Sequence, residues 1–261
     1  MARLWHSIRT LACFALFALG GMLISWVVMP FVFFSTLDRI KARRRCQRTL
    51  QGGFRIFLTV LAKLRLLKTT WPLSESISPS VPSVIVCNHP TLLDTVIMTV
   101  RFDNVVCMVK RSYYVSPFFF GLATMCGYVP AARPGRVAEH QAMLDAISES
   151  LAAGFNVLAF PETRRSTLGT QLPFRRGPIE SAARAGVPII PVRIRCTPRT
   201  LTREIDLGEM PLECAQYSCE ELEPLTVNPG RSPVRAATRH LQNLLQIQPP
   251  RARETASHAT S

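Results

Sequence analysis

The sequence predicts an α/β fold: a single domain with a largely parallel central sheet covered by helices, preceded by an N-terminal membrane-anchoring helix pair. Three observations carry the prediction. Between Val84 and Ile194, short apolar runs alternate with stretches of helical period. Those runs are apolar throughout, as strands buried on both faces of a parallel sheet are. A charge-free run of 25 residues from Thr10 to Phe34 is long enough to span a bilayer with some tilt. At 261 residues the chain holds one substantial domain plus an appendage.

The elements follow in order. The Thr10–Phe34 run is too long for a signal-peptide core, and no small-residue cleavage site follows it, so it is expected to be retained. Pro30, near its end, leaves a kinked or re-entrant helix open beside a spanning one. Arg3 and Arg9 precede the run, whereas Arg39, Lys41, Arg43, Arg44, Arg45 and Arg48 follow it. That imbalance places the following domain on the cytoplasmic side, and the cluster attracts anionic lipid headgroups. Gly53–Lys68 reads as a second helix with Arg55, Thr59 and Lys63 along one side, either interfacial or core-packing. Residues 1–70 then form the anchor. Trp71–Pro82, rich in proline and serine, links into the folded domain, 71–247.

Within that domain, strands are expected at Val84–Cys87, Val105–Val109, Tyr128–Ala132, Phe155–Phe160 and Ile189–Ile194. Helices are expected at Leu92–Arg101, Ser116–Met125, Val137–Ala153, Pro178–Ala185 and Val234–Ile247. Thr197–Val227 is irregular, with room for one or two edge strands. The polar residues 248–261 are expected to be disordered.

The net charge of +14 admits a nucleic-acid partner in principle. The basic residues instead flank an apolar span, and no nucleic-acid-binding motif is present. The eight cysteines form no Cys-x-x-Cys pair and fall in apolar runs, so they read as reduced, buried residues with no metal site expected.

Chemistry-bearing residues gather where the strands end. Asn88-His89-Pro90-Thr91-Leu92-Leu93-Asp94 follows the first strand of the domain. Were both helical, His89 and Asp94 would stand about 140° apart. Pro90 pushes His89 into extended backbone and lets the helix begin at Pro90 or Thr91, so the histidine can fold back onto the carboxylate. An imidazole held on one nitrogen is free to act as a base through the other. Arg133 follows a second strand, and Pro161-Glu162-Thr163-Arg164-Arg165-Ser166 a third. A base among guanidiniums points to a hydroxyl substrate that carries an anion.

These residues resemble the membrane-bound glycerolipid acyltransferases, the family that includes bacterial 1-acylglycerol-3-phosphate acyltransferase. Asn88, His89 and Asp94 match its NHx4D motif; Gly127 and Arg133 match its second motif, preceded by Lys110, Pro117 and Gly121. Phe160–Ser166 matches its Phe-Pro-Glu-Gly-Thr-Arg-Ser, followed by Phe174, Arg175 and Gly177. Val187–Val192, with Pro188 and Pro191, matches its fourth. The match runs from Val81 to Arg195.

The resemblance implies that His89 and Asp94 are catalytic and that Asn88, Arg133, Glu162, Thr163, Arg164 and Arg165 bind substrate. It implies acyl transfer to a lysophospholipid hydroxyl from acyl-CoA or acyl carrier protein as co-substrate, with no other cofactor, on the cytoplasmic face of a bacterial inner membrane. The departure is in the third motif, where Thr163 replaces glycine and Arg164 replaces threonine. This leaves open another acceptor, such as a lyso-ornithine lipid or a specialised lipid or polyene product. A thioesterase and an inactive membrane-anchored homologue remain alternatives.

Overall fold

A computed structural model describes residues 2–116, 118–162, 165, 172–201 and 211–246. Its seven strands form one sheet in the order β1-β7-β6-β2-β5-β3-β4: β1 Leu67–Thr69, β2 Val84–Cys87, β3 Val105–Val109, β4 Val129–Pro130, β5 Asn156–Ala159, β6 Ile189–Thr197 and β7 Ala215–Glu221. The run β6-β2-β5-β3-β4 is parallel, as the continuous apolar strands require. β7 runs antiparallel to β6, and β1 runs parallel to β7. The irregular stretch after Thr197 therefore supplies an interior strand, whereas an edge strand was expected. The outer edge on that side belongs to β1, read from sequence as the end of a helix inside the anchor.

Helices cover both faces. On one lie α3 (Arg39–Lys63) and α4 (Asp94–Arg101), in a core with Phe57, Leu58, Leu61, Ile97, Phe102 and Tyr217. On the other lie α6 (Val137–Ala152), α7 (Gly177–Ala185) and α8 (Arg231–Leu244), around Leu144, Ile147, Phe155, Ile179 and Leu241. All four residues of β2 are fully buried, each worth about 1.5–3 kcal/mol as an upper bound. The short α5 (Phe120–Met125) sits between the sheet and the N-terminal helices.

The N-terminal run is one continuous helical rod: α1 (Ala2–Leu23), a π-helical turn (Ile24–Val28) and α2 (Met29–Phe34). Pro30 does not break it. The wider turn ahead of the proline carries a Met29 N–H to Ile24 O bond, which absorbs the mismatch that the missing proline N–H creates. The 30 residues Trp5–Phe34 are long and apolar enough to cross a membrane and are largely uncovered by protein. Leu11, Leu19, Trp26, Phe31 and Phe34 are exposed along them.

The rod is nevertheless docked on the domain along its length. Arg9 Nη1 donates to Leu64 O at 3.2 Å, Phe17 meets the Phe57 ring at 4.7 Å, and Cys46 Sγ donates to Met29 O at 3.9 Å.

The second helix of the anchor starts fourteen residues earlier than expected from Gly53. Asp38 caps it by accepting from the Ile40 and Lys41 N–H groups. Gly52 and Gly53, which look like a break, lie inside it. A side chain at Gly53 would come within 2.8 Å of Ile24 Cδ1, so the glycine permits close approach of the rod. Part of the basic cluster is used internally. Arg43 donates to Gly127 O (3.1 Å) and Ser150 Oγ (3.3 Å), Arg44 donates to Ala153 O (3.1 Å), and both guanidiniums lie over the Phe155 ring. Arg39, Lys41, Arg45 and Arg48 remain exposed. Arg55, expected at the headgroups, donates to Leu73 O.

The tightest joint between rod and domain is at Gly121, where an added Cβ would meet Ser25 O at 2.2 Å. Gly121→Ala should cost about 1–3 kcal/mol, read as a lowered Tm in detergent. Gly20→Ala, with nothing within 4 Å of the new methyl, should leave Tm unchanged or slightly raised. Equal midpoints for the two variants would contradict this joint.

Candidate active site

The site begins where β2 ends. The Asn88 carboxamide grips the neighbouring strand: Nδ2 donates to Ile194 O at 2.9 Å and Oδ1 accepts the Ile194 N–H at 2.7 Å. With only 1% of its surface exposed, Asn88 has both polar ends committed to β6. Expected to bind substrate, it here pins the strand end that carries His89.

His89 then turns back as Pro90 dictates, and its Nδ1 lies 2.8 Å from Asp94 Oδ2. The helix itself starts later than expected, at Asp94, because residues 91–93 form a turn closed by the Asp94 carboxylate. Oδ2 accepts the Thr91 N–H at 2.7 Å and Oδ1 accepts the Thr91 hydroxyl at 2.6 Å. Asp94 has no solvent exposure and occupies the first turn of α4, where helix amides favour a negative charge. An ionised carboxylate only accepts, so Nδ1 must carry the imidazole proton and Nε2 is left as the basic atom.

Two further groups hold the histidine. Glu162 is buried, and its Oε1 accepts the His89 backbone N–H at 3.1 Å. Phe160 stacks on the imidazole with ring centroids 4.4 Å apart and an interplanar angle of 26°. Both follow from register, since β2 and β5 pair Val86 with Ala159 and so run out side by side. Glu162, expected to contact substrate, braces the backbone of His89.

His89, Arg133, Glu162 and Arg165 all line one cavity of about 2080 Å³. Part of its lining is apolar and includes Phe14, Phe17 and Phe54 of the N-terminal helices. Another part is basic, with Arg136, Arg175, Arg176 and Arg231. These four have no ion-pair partner among the described residues.

Arg133 is exposed and its guanidinium is paired with Glu139, with Nε 3.0 Å from Oε1. The hydrogen bonds from Arg133 hold the Glu139 carboxyl down to about 2. An anion binding at Arg133 must therefore compete with a carboxylate already in place. Arg165 donates through Nη1 to Leu201 O at 2.9 Å, and the same carbonyl accepts the Leu92 N–H at 3.1 Å. That loop thus ties the third motif to the first. Thr163 and Arg164, together with Pro117 and the tail 248–261, lie outside the described residues.

No thiol competes with His89. The neighbouring Cys87 has no exposure, and burial pushes its thiol well up, as it does Cys196, to about 11. Sequence reasoning missed Phe160, Thr91 and Tyr217, whose hydroxyl donates to Thr91 Oγ1 at 2.7 Å. A threonine three residues before an aspartate was a signal for Thr91; nothing local marked Tyr217.

Residues 70–195 match the Acyltransferase family model. The 1-acyl-sn-glycerol-3-phosphate acyltransferase of Escherichia coli K12 is 27% identical over 63% of this chain and 65% of its own length. The mouse 1-acyl-sn-glycerol-3-phosphate acyltransferase alpha is 32% identical over 44% of this chain and 40% of its own. The chain therefore covers less than two thirds of either relative. Among solved structures, the 1-acyl-sn-glycerophosphate acyltransferase PlsC of Thermotoga maritima superposes with a TM-score of 0.69. It is 21% identical and covers 94% of this chain and 95% of that one, a likeness of fold.

Asn88→Asp would turn an acceptor toward Ile194 O where an amide N–H now donates. It should cost about 1–3 kcal/mol, read as a fall in thermal midpoint with secondary structure retained by circular dichroism. An unchanged midpoint would mean that the clamp is not what holds the strand end.

Proposed function

We propose that this chain, whose residues 70–195 match the Acyltransferase family model and which is similar to 1-acyl-sn-glycerol-3-phosphate acyltransferases, moves a fatty acyl group from a thioester to the hydroxyl of a lysophospholipid such as 1-acylglycerol-3-phosphate. The observation that carries the reading is the cavity, whose lining combines apolar side chains of the N-terminal helices, an imidazole held by a buried carboxylate, and several arginines.

In this reading His89 Nε2 takes the acceptor's hydroxyl proton as the oxygen attacks the thioester carbonyl. Asp94 keeps the proton on Nδ1 and stabilises the imidazolium that forms, as in other carboxylate-histidine pairs. The tetrahedral intermediate then expels the thiolate, which recovers the proton from the imidazolium. The new ester and a free thiol leave, and the histidine is restored. The thioester is already activated, so no protein nucleophile is required. The buried, protonated thiols near the site fit that requirement.

The acceptor's phosphate sits among the arginines of the cavity. Arg133 exchanges Glu139 for it, and Arg165, held by Leu201 O, is the second guanidinium on it. Acyl chains take the apolar part of the lining under the N-terminal helices, whose exposed face associates with the membrane. Arg39, Lys41, Arg45 and Arg48 face anionic headgroups on the cytoplasmic side, in keeping with the positive-inside rule. The donor is acyl-CoA or an acylated, acidic carrier protein drawn to these basic residues.

His89→Ala should lower turnover by roughly 10²–10⁴-fold while the protein keeps its fold. Transfer at the wild-type rate by the purified variant would rule out His89 as the base. Arg165→Ala should raise the acceptor KM more than it lowers kcat, measured with acceptors that carry or lack a phosphate. If the variant treats both acceptors as the wild type does, the phosphate assignment fails.

A further inference from the structure

Behind the dyad lies a chain of hydrogen bonds that leads out of the first motif into β7. Tyr217 has no solvent exposure, and its hydroxyl is 2.7 Å from Thr91 Oγ1. Thr91 Oγ1 is in turn 2.6 Å from Asp94 Oδ1, and Asp94 Oδ2 is 2.8 Å from His89 Nδ1. The direction of every link is forced. Asp94 only accepts, so the single Thr91 hydroxyl proton must go to Oδ1. The Thr91 oxygen then has only lone pairs left, which take the Tyr217 O–H and the Leu93 N–H at 3.2 Å. Tyr217 is therefore a donor, and the chain runs Tyr217 to Thr91 to Asp94.

We propose that Tyr217 is a positioning residue of the site: through Thr91 its hydroxyl fixes the Asp94 carboxylate, and through Asp94 the angle and tautomer of the His89 imidazole. The inference rests on His89 acting as the base in acyl transfer, and it adds a residue from a strand that carries none of the four motifs. A buried carboxylate has few arrangements that satisfy all of its lone pairs. Each donor removed loosens the remaining ones and leaves more negative charge facing the imidazole.

The charged and titratable groups around this chain include Glu162 beyond β5, Cys87 on β2, Arg101 ending α4, Cys107 on β3, Cys196 on β6 with Arg199 after it, and Cys219 and Glu221 on β7. Burial pushes the four thiols up, so they stay neutral. Burial first, and the Asp94 charge second, push Tyr217 well up, so it keeps the proton it donates.

The test uses the full-length protein in detergent. Tyr217→Phe keeps the ring in the core and removes only the oxygen. It should lower kcat about 10-fold with both KM values unchanged, because the loss falls on the transition state. With less charge drawn off Asp94, the imidazolium is better stabilised, so the acid limb of the pH–rate profile should move up by about 0.5 pH unit. Thr91→Val should lower kcat further, by about 100-fold. Adding Tyr217→Phe to Thr91→Val should change nothing more, because the tyrosine acts only through the threonine. A Tyr217→Phe enzyme with wild-type kcat and acid limb would overturn the proposal, as would a full additional loss in the Thr91→Val background.

Nitrogen-15 NMR of the His89 ring supplies a readout that needs no turnover. The Tyr217→Phe change should raise the pH midpoint of the His89 titration, and an unmoved midpoint overturns the proposal. If the wild type transfers no acyl group, acyl transfer itself fails as the function, while the NMR titration still decides the hydrogen-bond chain.

Discussion

A carboxylate with no access to water opens α4, and the geometry of the site follows from what that charge needs. Asp94 can stay ionised only with its lone pairs filled, and the protein fills them from the Thr91 amide, the Thr91 hydroxyl and the His89 ring. Those three bonds close the turn after Pro90, set the start of the helix and leave one nitrogen of His89 basic. Around them the strand ends are braced twice more, by Asn88 across to β6 and by Glu162 from beyond β5. The family's first, third and fourth motifs thus meet at one point because β2 lies between β5 and β6 in a parallel sheet.

The same parallel arrangement brings apolar and basic side chains into one cavity. Helices on one face bring the apolar rod and α3 to the carboxyl ends of the strands. The loops after β4 and β5 and the starts of α7 and α8 bring arginines. In the proposed acyl transfer a lysolipid would lay its chain on the first and its phosphate on the second, with its hydroxyl at His89. Fixed placement of this kind converts an encounter between two molecules into a reaction within one complex. The close joints at Gly53 and Gly121 hold the apolar rod against the catalytic domain.

Much of this was legible in the sequence. The strands from β2 to β6 and the helices between them were readable because buried parallel strands are apolar throughout and their helices carry a 3.6-residue period. The meeting of His89 and Asp94 followed from the proline between them. What was not legible depends on partners far away in the chain. β1 is short and β7 is polar on alternate positions, and only their pairing in the sheet, β1 on β7 and β7 on β6, makes them strands. The helix through Gly52 and Gly53 was read as starting at Gly53 because propensity does not report that the N-terminal rod packs closely on Gly53. That Asn88 clamps β6 and Glu162 braces the His89 backbone was not legible, because a polar residue beside His89 carries no mark of its partners. Arg43 and Arg44 looked like headgroup ligands for the same reason. Tyr217 had no local signal, since its partner Thr91 is more than a hundred residues earlier.

The central claim is that this cavity joins a thioester's acyl group to a lysophospholipid. It is tested most directly by expressing the protein in a host whose own lysophosphatidate acyltransferase has been inactivated and measuring its lipids by mass spectrometry. The account predicts that 1-acylglycerol-3-phosphate falls and the diacyl phosphatidate rises by the same amount. Lysophosphatidate that stays at the level of the empty host, with no new diacyl product, would contradict it.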